Sequence, residues 1–293
     1  MPLCVSGSYC YRECSELGDS DVSKRGKGQK YTVEMSGVAW LDLLGYGAML
    51  RKAKFDPTNP TALAAVARLK NFQRIAAAHA TRNLRAMIIN DGVAYVRELS
   101  PRGPYPTYEF LEEVFDAYRA VNELDSIDGY PGARMVVAAG PRLHVLESLH
   151  PNLSHLRSIF KRLSATTITP QQAVMEAFNS VSPTGSQLSL QANFAFTKAF
   201  LADKDGSSAG LAGSSCFIDN VFFKSNPSWL TVDDEISWAT EGMQATFLKT
   251  SDLDKLTARS IKYPEVRDGE EIAKSLEIDY PVEIGIPTRS TRL

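Results

Sequence analysis

The run from Val33 to Leu44, Val-Glu-Met-Ser-Gly-Val-Ala-Trp-Leu-Asp-Leu-Leu, limits the fold more than any other feature. Such a stretch suits a buried strand, and Gly45-Tyr46-Gly47 then breaks it before a new segment begins. Asp42 therefore falls at a strand end, where a carboxylate can leave an apolar layer.

The segments that follow read as a mixed architecture. Between Pro60 and Ala80, Leu63, Val66, Leu69, Phe72 and Ile75 recur at helical spacing in an alanine-rich sequence, which predicts a helix. Ala86–Ile89 and Val93–Val96 flank Asn90-Asp91-Gly92, the composition of a tight hairpin. A second helix is expected over Tyr108–Leu124, with Phe110, Leu111, Val114, Phe115, Tyr118, Val121 and Leu124 on its apolar face. A strand over Ala133–Ala139 stops at Gly140. Strand, helix, hairpin, helix, strand predicts an α+β fold with a mixed, largely antiparallel sheet flanked by helices.

Further helices are expected at Pro170–Asn179 and Leu188–Ala202, on either side of Ser182-Pro183-Thr184-Gly185, and a strand at Cys216–Phe223. Beyond Asn226 the pattern weakens to short candidate strands at Ala245–Lys249, Ala258–Lys262 and Val282–Ile286. The chain divides into a polar N-terminal arm, 1–30, a main domain, 31–225, and a C-terminal extension, 226–293, that completes the sheet or forms an interface.

Composition removes several function classes. A formal net charge of −2 on 293 residues gives no overall attraction to nucleic acid or anionic membrane. The one basic cluster, Lys24-Arg25-Gly26-Lys27, is short and lacks interleaved aromatics. No apolar run reaches the roughly 18 residues needed to span a bilayer, and no secretory leader is visible, so a cytoplasmic location is expected. Cys4, Cys10 and Cys14 lack a nearby fourth zinc ligand, and His150 and His155 are five apart. Neither a GxxxxGK[ST] loop nor a GxGxxG fingerprint is present.

Asp42 and Asp91 carry the most chemical promise. Magnesium and manganese are commonly held by one or two carboxylates completed by phosphate oxygens, and strand-end and hairpin carboxylates suit that task. Simpler readings stand beside this one: Asp42 as the cap of the next helix, and Asp91 as a turn residue only.

The segment Ala39-Trp40-Leu41-Asp42-Leu43-Leu44-Gly45-Tyr46 resembles the first signature of class III nucleotide cyclases, and Ile88-Ile89-Asn90-Asp91 is similar to the second. The likeness extends over about residues 33–225. It implies a ferredoxin-like core of the cyclase type and closure of a nucleoside triphosphate to a 3′,5′-cyclic monophosphate. It also implies two divalent cations, Mg²⁺ or Mn²⁺, held by Asp42, Asp91 and the Leu43 carbonyl. The backbone N–H groups of Leu44, Gly45 and Tyr46 would cradle the terminal phosphates. A homodimer with active sites at its interface is implied as well.

Within the family the chain resembles the compact bacterial pyrimidine cyclases of antiphage signalling, whose cyclic UMP or cyclic CMP product acts on a separate effector. Purine-specific relatives read the base with a lysine or glutamate four residues before the hairpin aspartate. Met87 stands there and cannot make that hydrogen bond, which favours UTP or CTP, with Tyr46 as a pocket wall. Met87 and Tyr46 as plain core residues is the competing reading. The family's late-helix asparagine matches Asn193, but its arginine position falls on Thr197, with Lys198 adjacent; a lysine does not reproduce the arginine fork. That departure keeps open a catalytically inactive nucleotide-binding module. The sequence is also compatible with a purine cyclase, a different metal-dependent phosphoryl-transfer enzyme or a protein without a ligand.

Overall fold

A computed structural model of the protein describes residues 29–144, 151–179, 190–280 and 283–286. Residues 1–28 of the N-terminal arm, with its cysteines and basic cluster, His150 and the Ser182–Gly185 turn lie outside the described residues, while Gln29 and Lys30 of the expected arm belong to the first strand. Residues Tyr31–Ile284 make one compact unit, and everything that follows concerns that unit.

The apolar run predicted as a strand forms most of β1 (Gln29–Leu43). Successive side chains of a strand point to opposite faces, and here both faces are covered. Met35, Ala39, Leu41 and Leu43 join a cluster with Phe72, Phe110 and Val114. Val38 and Trp40 join a second cluster with Ala195, Ala199 and Ala202. The first of these helical partners comes from α2 (Pro60–Ala78), the next two from α3 (Tyr105–Ile127), and the second cluster's from α6 (Phe194–Asp205). A strand buried on two sides is apolar along its whole length, which is why β1 stands out in the sequence.

After β1 the chain runs through α1 (Tyr46–Lys52) and α2 to the hairpin β2 (Arg85–Ile89) and β3 (Gly92–Glu98), then through α3 to β4 (Ala133–His144). Next come α4 (Pro151–Ser164), α5 (Pro170–Asn179), α6, β5 (Cys216–Asp219), β6 (Leu230–Thr240), β7 (Met243–Leu253), α7 (Lys255–Ile261), α8 (Gly269–Ser275) and β8 (Glu283–Ile286). The main strand order is β2-β3-β1-β4-β5-β7-β6. β1 lies antiparallel to both β3 and β4, β4 runs parallel to β5, and the remaining pairs of that order are antiparallel. This is the expected α+β fold with a mixed, mostly antiparallel sheet flanked by helices.

Several local expectations need correction. The strand expected to stop at Gly140 continues to His144 as β4. The strand expected over Cys216–Phe223 ends at Asp219, where a 3-10 turn over Asn220–Phe222 follows, the Asp219 side chain accepting from Val221 N. Ala258–Lys262, expected as a strand, falls in α7 and its C-cap. Asp254 accepts hydrogen bonds from the backbone N–H groups of Leu256 and Thr257 and so starts a helix there. The helix expected over Leu188–Ala202 runs Phe194–Asp205, because Asn193 caps it, its side chain accepting from Phe196 N at 3.1 Å. The weakly patterned stretch beyond Asn226 supplies β6 and β7, both in the same sheet as β1.

Candidate active site

The sheet register brings the two sequence-predicted carboxylates together. Asp42, second from the end of β1, pairs with Gly92, the first residue of β3. Asp91 directly precedes Gly92, and its carbonyl accepts the backbone N–H of Leu43 at 3.0 Å. Asn90 takes a positive φ of 55° in the two-residue turn, and its side-chain amide donates to the Asp91 carboxylate at 2.7 Å. Gly92 has no room for a side chain, since a Cβ there would fall within the indole ring of Trp40. The hairpin is thereby seated against Trp40, with Asp91 beside Asp42.

On the other side of β1, Asp42 pairs with Arg134 of β4. The Arg134 guanidinium turns instead to the C-terminal end of α6. Its Nε donates to the Asp203 carboxylate at 2.6 Å, and its terminal nitrogens donate to the Leu211 and Asp203 carbonyls at 3.0 and 2.8 Å. The indole N–H of Trp40 donates to the other Asp203 oxygen at 3.1 Å. Arg134, Asp203 and Trp40 are all buried.

This arrangement leaves Asp42 short of compensating positive charge. Its carboxyl is pushed up to about 7, first by burial, then by the nearby charges of Asp203 and Asp91, with Arg134 opposing them. A site that crowds carboxylates in this way is one that a cation relieves. The bland reading of Asp42 as a helix cap does not hold: Gly45, at φ 79°, occupies the N-cap of α1, and no side chain caps that helix.

A divalent cation fits these residues only in one manner. Among the described residues no group of three or more His, Cys, Asp or Glu side chains is disposed to hold a metal, and both Asp203 oxygens are already hydrogen-bonded. A cation held by Asp42 and Asp91 would be bound by two carboxylates and would need further ligands from elsewhere, which is the usual way magnesium or manganese accompanies a phosphate substrate.

The other predicted residues are placed as follows. Leu43 ends β1 beside Asp91. Leu44 donates its backbone N–H to the Gly132 carbonyl at 3.0 Å, so of the three N–H groups expected to cradle a phosphate, this one is already used. Gly45 and Tyr46 open α1, and the Tyr46 ring is buried in the α2–α3 core. Met87 shares a cross-strand row with Ala94 and Trp40 and packs on the α6 face of the sheet, the face of Trp40. Asn193 is not brought to the carboxylates within this chain. It is 2% exposed at the opposite end of α6 from Asp203, donating to the Ser36 hydroxyl at 3.2 Å. Lys198 is buried on Asp219 at 2.8 Å and on the Ala139 carbonyl at 3.0 Å.

Sequence reasoning missed Arg134 and Asp203. An arginine at the start of an otherwise apolar strand was the one available signal, and its partner lies 69 residues away.

No protein-family model matches the sequence, and no curated protein matches it. Solved structures give distant likenesses. The guanylyl cyclase Cya2 is 10% identical, with 82% of this chain and 99% of that chain covered at a TM-score of 0.43. The catalytic core of a rhodopsin-guanylyl cyclase with converted specificity, in complex with ATPαS, is 8% identical over 77% and 99%, with a TM-score of 0.42. The guanylate cyclase domain of RhGC from Catenaria anguillulae, in complex with GTP, is 7% identical over 77% and 99%, with a TM-score of 0.40. No helix among the described residues is long and apolar enough to cross a membrane.

Proposed function

We propose that the protein is a nucleotide cyclase that converts a nucleoside triphosphate, UTP or CTP, into a 3′,5′-cyclic monophosphate and pyrophosphate. The observation that carries this reading is the juxtaposition of Asp42 and Asp91 by the β1–β3 register, in a place where burial and neighbouring acids disfavour negative charge. The signature resemblance around both aspartates supports the choice of reaction. When bound, two divalent cations would lower the pKa of the ribose 3′-hydroxyl and neutralise the departing pyrophosphate. Asp42 and Asp91, with the Leu43 carbonyl, would hold them. Gly45, with its left-handed backbone, lets the chain approach a phosphate closely at the start of α1. Met87 would face the base with an apolar surface that offers no purine-reading hydrogen bond.

A homodimer with shared active sites, an effector that responds to the cyclic product and a setting in antiphage defence belong to the same proposal and rest on the resemblance. A second reading, a nucleotide-binding module without turnover, is favoured by one observation: Asn193 and Lys198 are both buried in partnerships of their own. The test is incubation with UTP, CTP, ATP or GTP and Mn²⁺, with products identified by mass spectrometry. A cyclic pyrimidine monophosphate is expected. A purine product refutes the base assignment, and triphosphate binding without any cyclic product selects the inactive module.

A further inference from the structure

Arg68 of α2 is buried, and its guanidinium is committed to groups outside its own helix. It makes a forked pair with Asp125 of α3, Nε donating at 3.1 Å and one terminal nitrogen at 2.6 Å. That terminal nitrogen also reaches the Gly132 carbonyl at 3.2 Å, and the other donates to the Leu44 carbonyl at 2.9 Å. The guanidinium carbon lies over the Tyr130 ring, 4.7 Å from its centre. The end of this segment is fixed in turn by α3: Asn122 accepts the Ala133 N–H at 2.9 Å and donates to the Ala133 carbonyl at 3.2 Å. The β1–α1 turn and the α3–β4 connection thus meet on one buried arginine.

The contact to Leu44 sets the direction of the next peptide. An amide is planar and trans, so a C=O and the N–H that follows it point opposite ways. With the Leu44 carbonyl drawn inward to Arg68, the Gly45 N–H points outward, where Gly45 is exposed and donates to no described residue. The preceding peptide is set in the same manner. Leu44 N–H donates to the Gly132 carbonyl at 3.0 Å, which turns the Leu43 carbonyl to the side on which Leu43 N–H meets Asp91. Glycine accepts either sign of φ, so without such a clamp the turn at Gly45 would be free to change its peptide orientation. A buried ion pair is by itself weak evidence for stability, because apolar residues of similar volume often hold a fold as well. An apolar pair cannot hold the Leu44 carbonyl.

We propose that Arg68, braced by Asp125, is a positioning residue that presents the Leu43 carbonyl and the Gly45 N–H to a metal-bound polyphosphate. The inference rests on the proposed function only for the nature of that ligand. Magnesium pyrophosphate is the probe, titrated into full-length protein labelled with ¹⁵N-glycine, with affinity and the Gly45 amide resonance read together. In the wild type the Gly45 resonance should shift on titration. Arg68→Met/Asp125→Leu removes both charges at once and should melt close to the wild type. It should nevertheless bind the probe about tenfold or more weakly, the loss usual when a group that orients a metal ligand is removed. Arg68→Lys keeps a charge beside Asp125 without the planar fork and should weaken binding in the same direction. Wild-type affinity with an unchanged Gly45 response in the double variant, or in Arg68→Lys should the double variant not fold, overturns the proposal. So does a wild-type Gly45 resonance that the probe leaves in place. Failure of the cyclase reading is a separate result: a Gly45 response lost in the variants, with no cyclic product from any triphosphate in the wild type, retains the positioning role and rejects the reaction.

Discussion

Asp42 faces Gly92 on one side and Arg134 on the other within the same sheet row, yet the guanidinium of Arg134 is committed to Asp203 at 2.6 Å, and among the described residues Asp42 makes no ion pair of its own. An acidic corner is thus maintained inside a scaffold that holds its own arginine back. Four consequences can be measured.

The first concerns pH and metal. Asp42 is held up to about 7 against an ordinary value of 3.8, so the folded state keeps this proton more tightly than the unfolded chain does. The stabilisation this gives is complete below the unfolded value and is lost as pH rises through about 7. Chemical denaturation of metal-free protein from pH 4 to 8 should show a decline that Asp42→Asn reduces. Because protons compete with cations for the carboxylate, Mn²⁺ should raise the melting temperature more at pH 8 than at pH 6.

Gly92→Ala should disturb both stability and the site. The added methyl group would enter the space of the Trp40 ring, and overpacking of this kind costs about 1–3 kcal/mol. A lowered melting temperature with weaker Mn²⁺ binding is expected, because the hairpin that carries Asp91 must move to relieve the clash.

Arg134 and Asp203 should behave as one unit. Arg134→Met or Asp203→Leu alone strands a buried charge and should cost about 3–5 kcal/mol, as breaking buried pairs does. The double substitution should cost clearly less than the sum, which urea denaturation of the four proteins in a double-mutant cycle would show.

Met87→Lys tests the base reading. A lysine at this position would offer the hydrogen-bond donor that Met87 lacks, and the ratio of purine to pyrimidine turnover should rise about tenfold or more, corresponding to about 1.4 kcal/mol of differential transition-state binding. Competition between UTP and GTP in one reaction gives the ratio directly.

How much of this was legible in the sequence follows from which forces shape each segment. β1, α3 and β4 announce themselves because each buries a regular set of apolar side chains. By contrast, α2 is legible from its alanine-rich composition although Leu63 and Val66 of its expected stripe are exposed. The hairpin is legible from its Asn90-Asp91-Gly92 turn although β2 has no buried side chain. Asp42 and Asp91 could be singled out because a strand end and a turn are local features. β6 was hidden: it occupies the far end of the main strand order, so Asp233, Asp234 and Glu235 sit in it without breaking a hydrophobic pattern. α7 was misread because its start depends on one cap, Asp254, rather than on an apolar face. The Arg134–Asp203–Trp40 network joins three elements through the tertiary fold, and no local spacing encodes it. Asn193 shows the converse: a motif position with a catalytic counterpart in the resembling family serves here as a buried helix cap.

The central claim is that Asp42 and Asp91 together support metal-dependent triphosphate cyclisation, and the direct measurement is the rate of pyrophosphate release from UTP or CTP with Mn²⁺ in the wild type, Asp42→Asn and Asp91→Asn. Each variant should retain its fold by circular dichroism and lose activity by about 10²-fold or more, the order expected when one charge-stabilising group is removed from a phosphoryl-transfer site. Turnover within a few fold of wild type in either variant would contradict the claim.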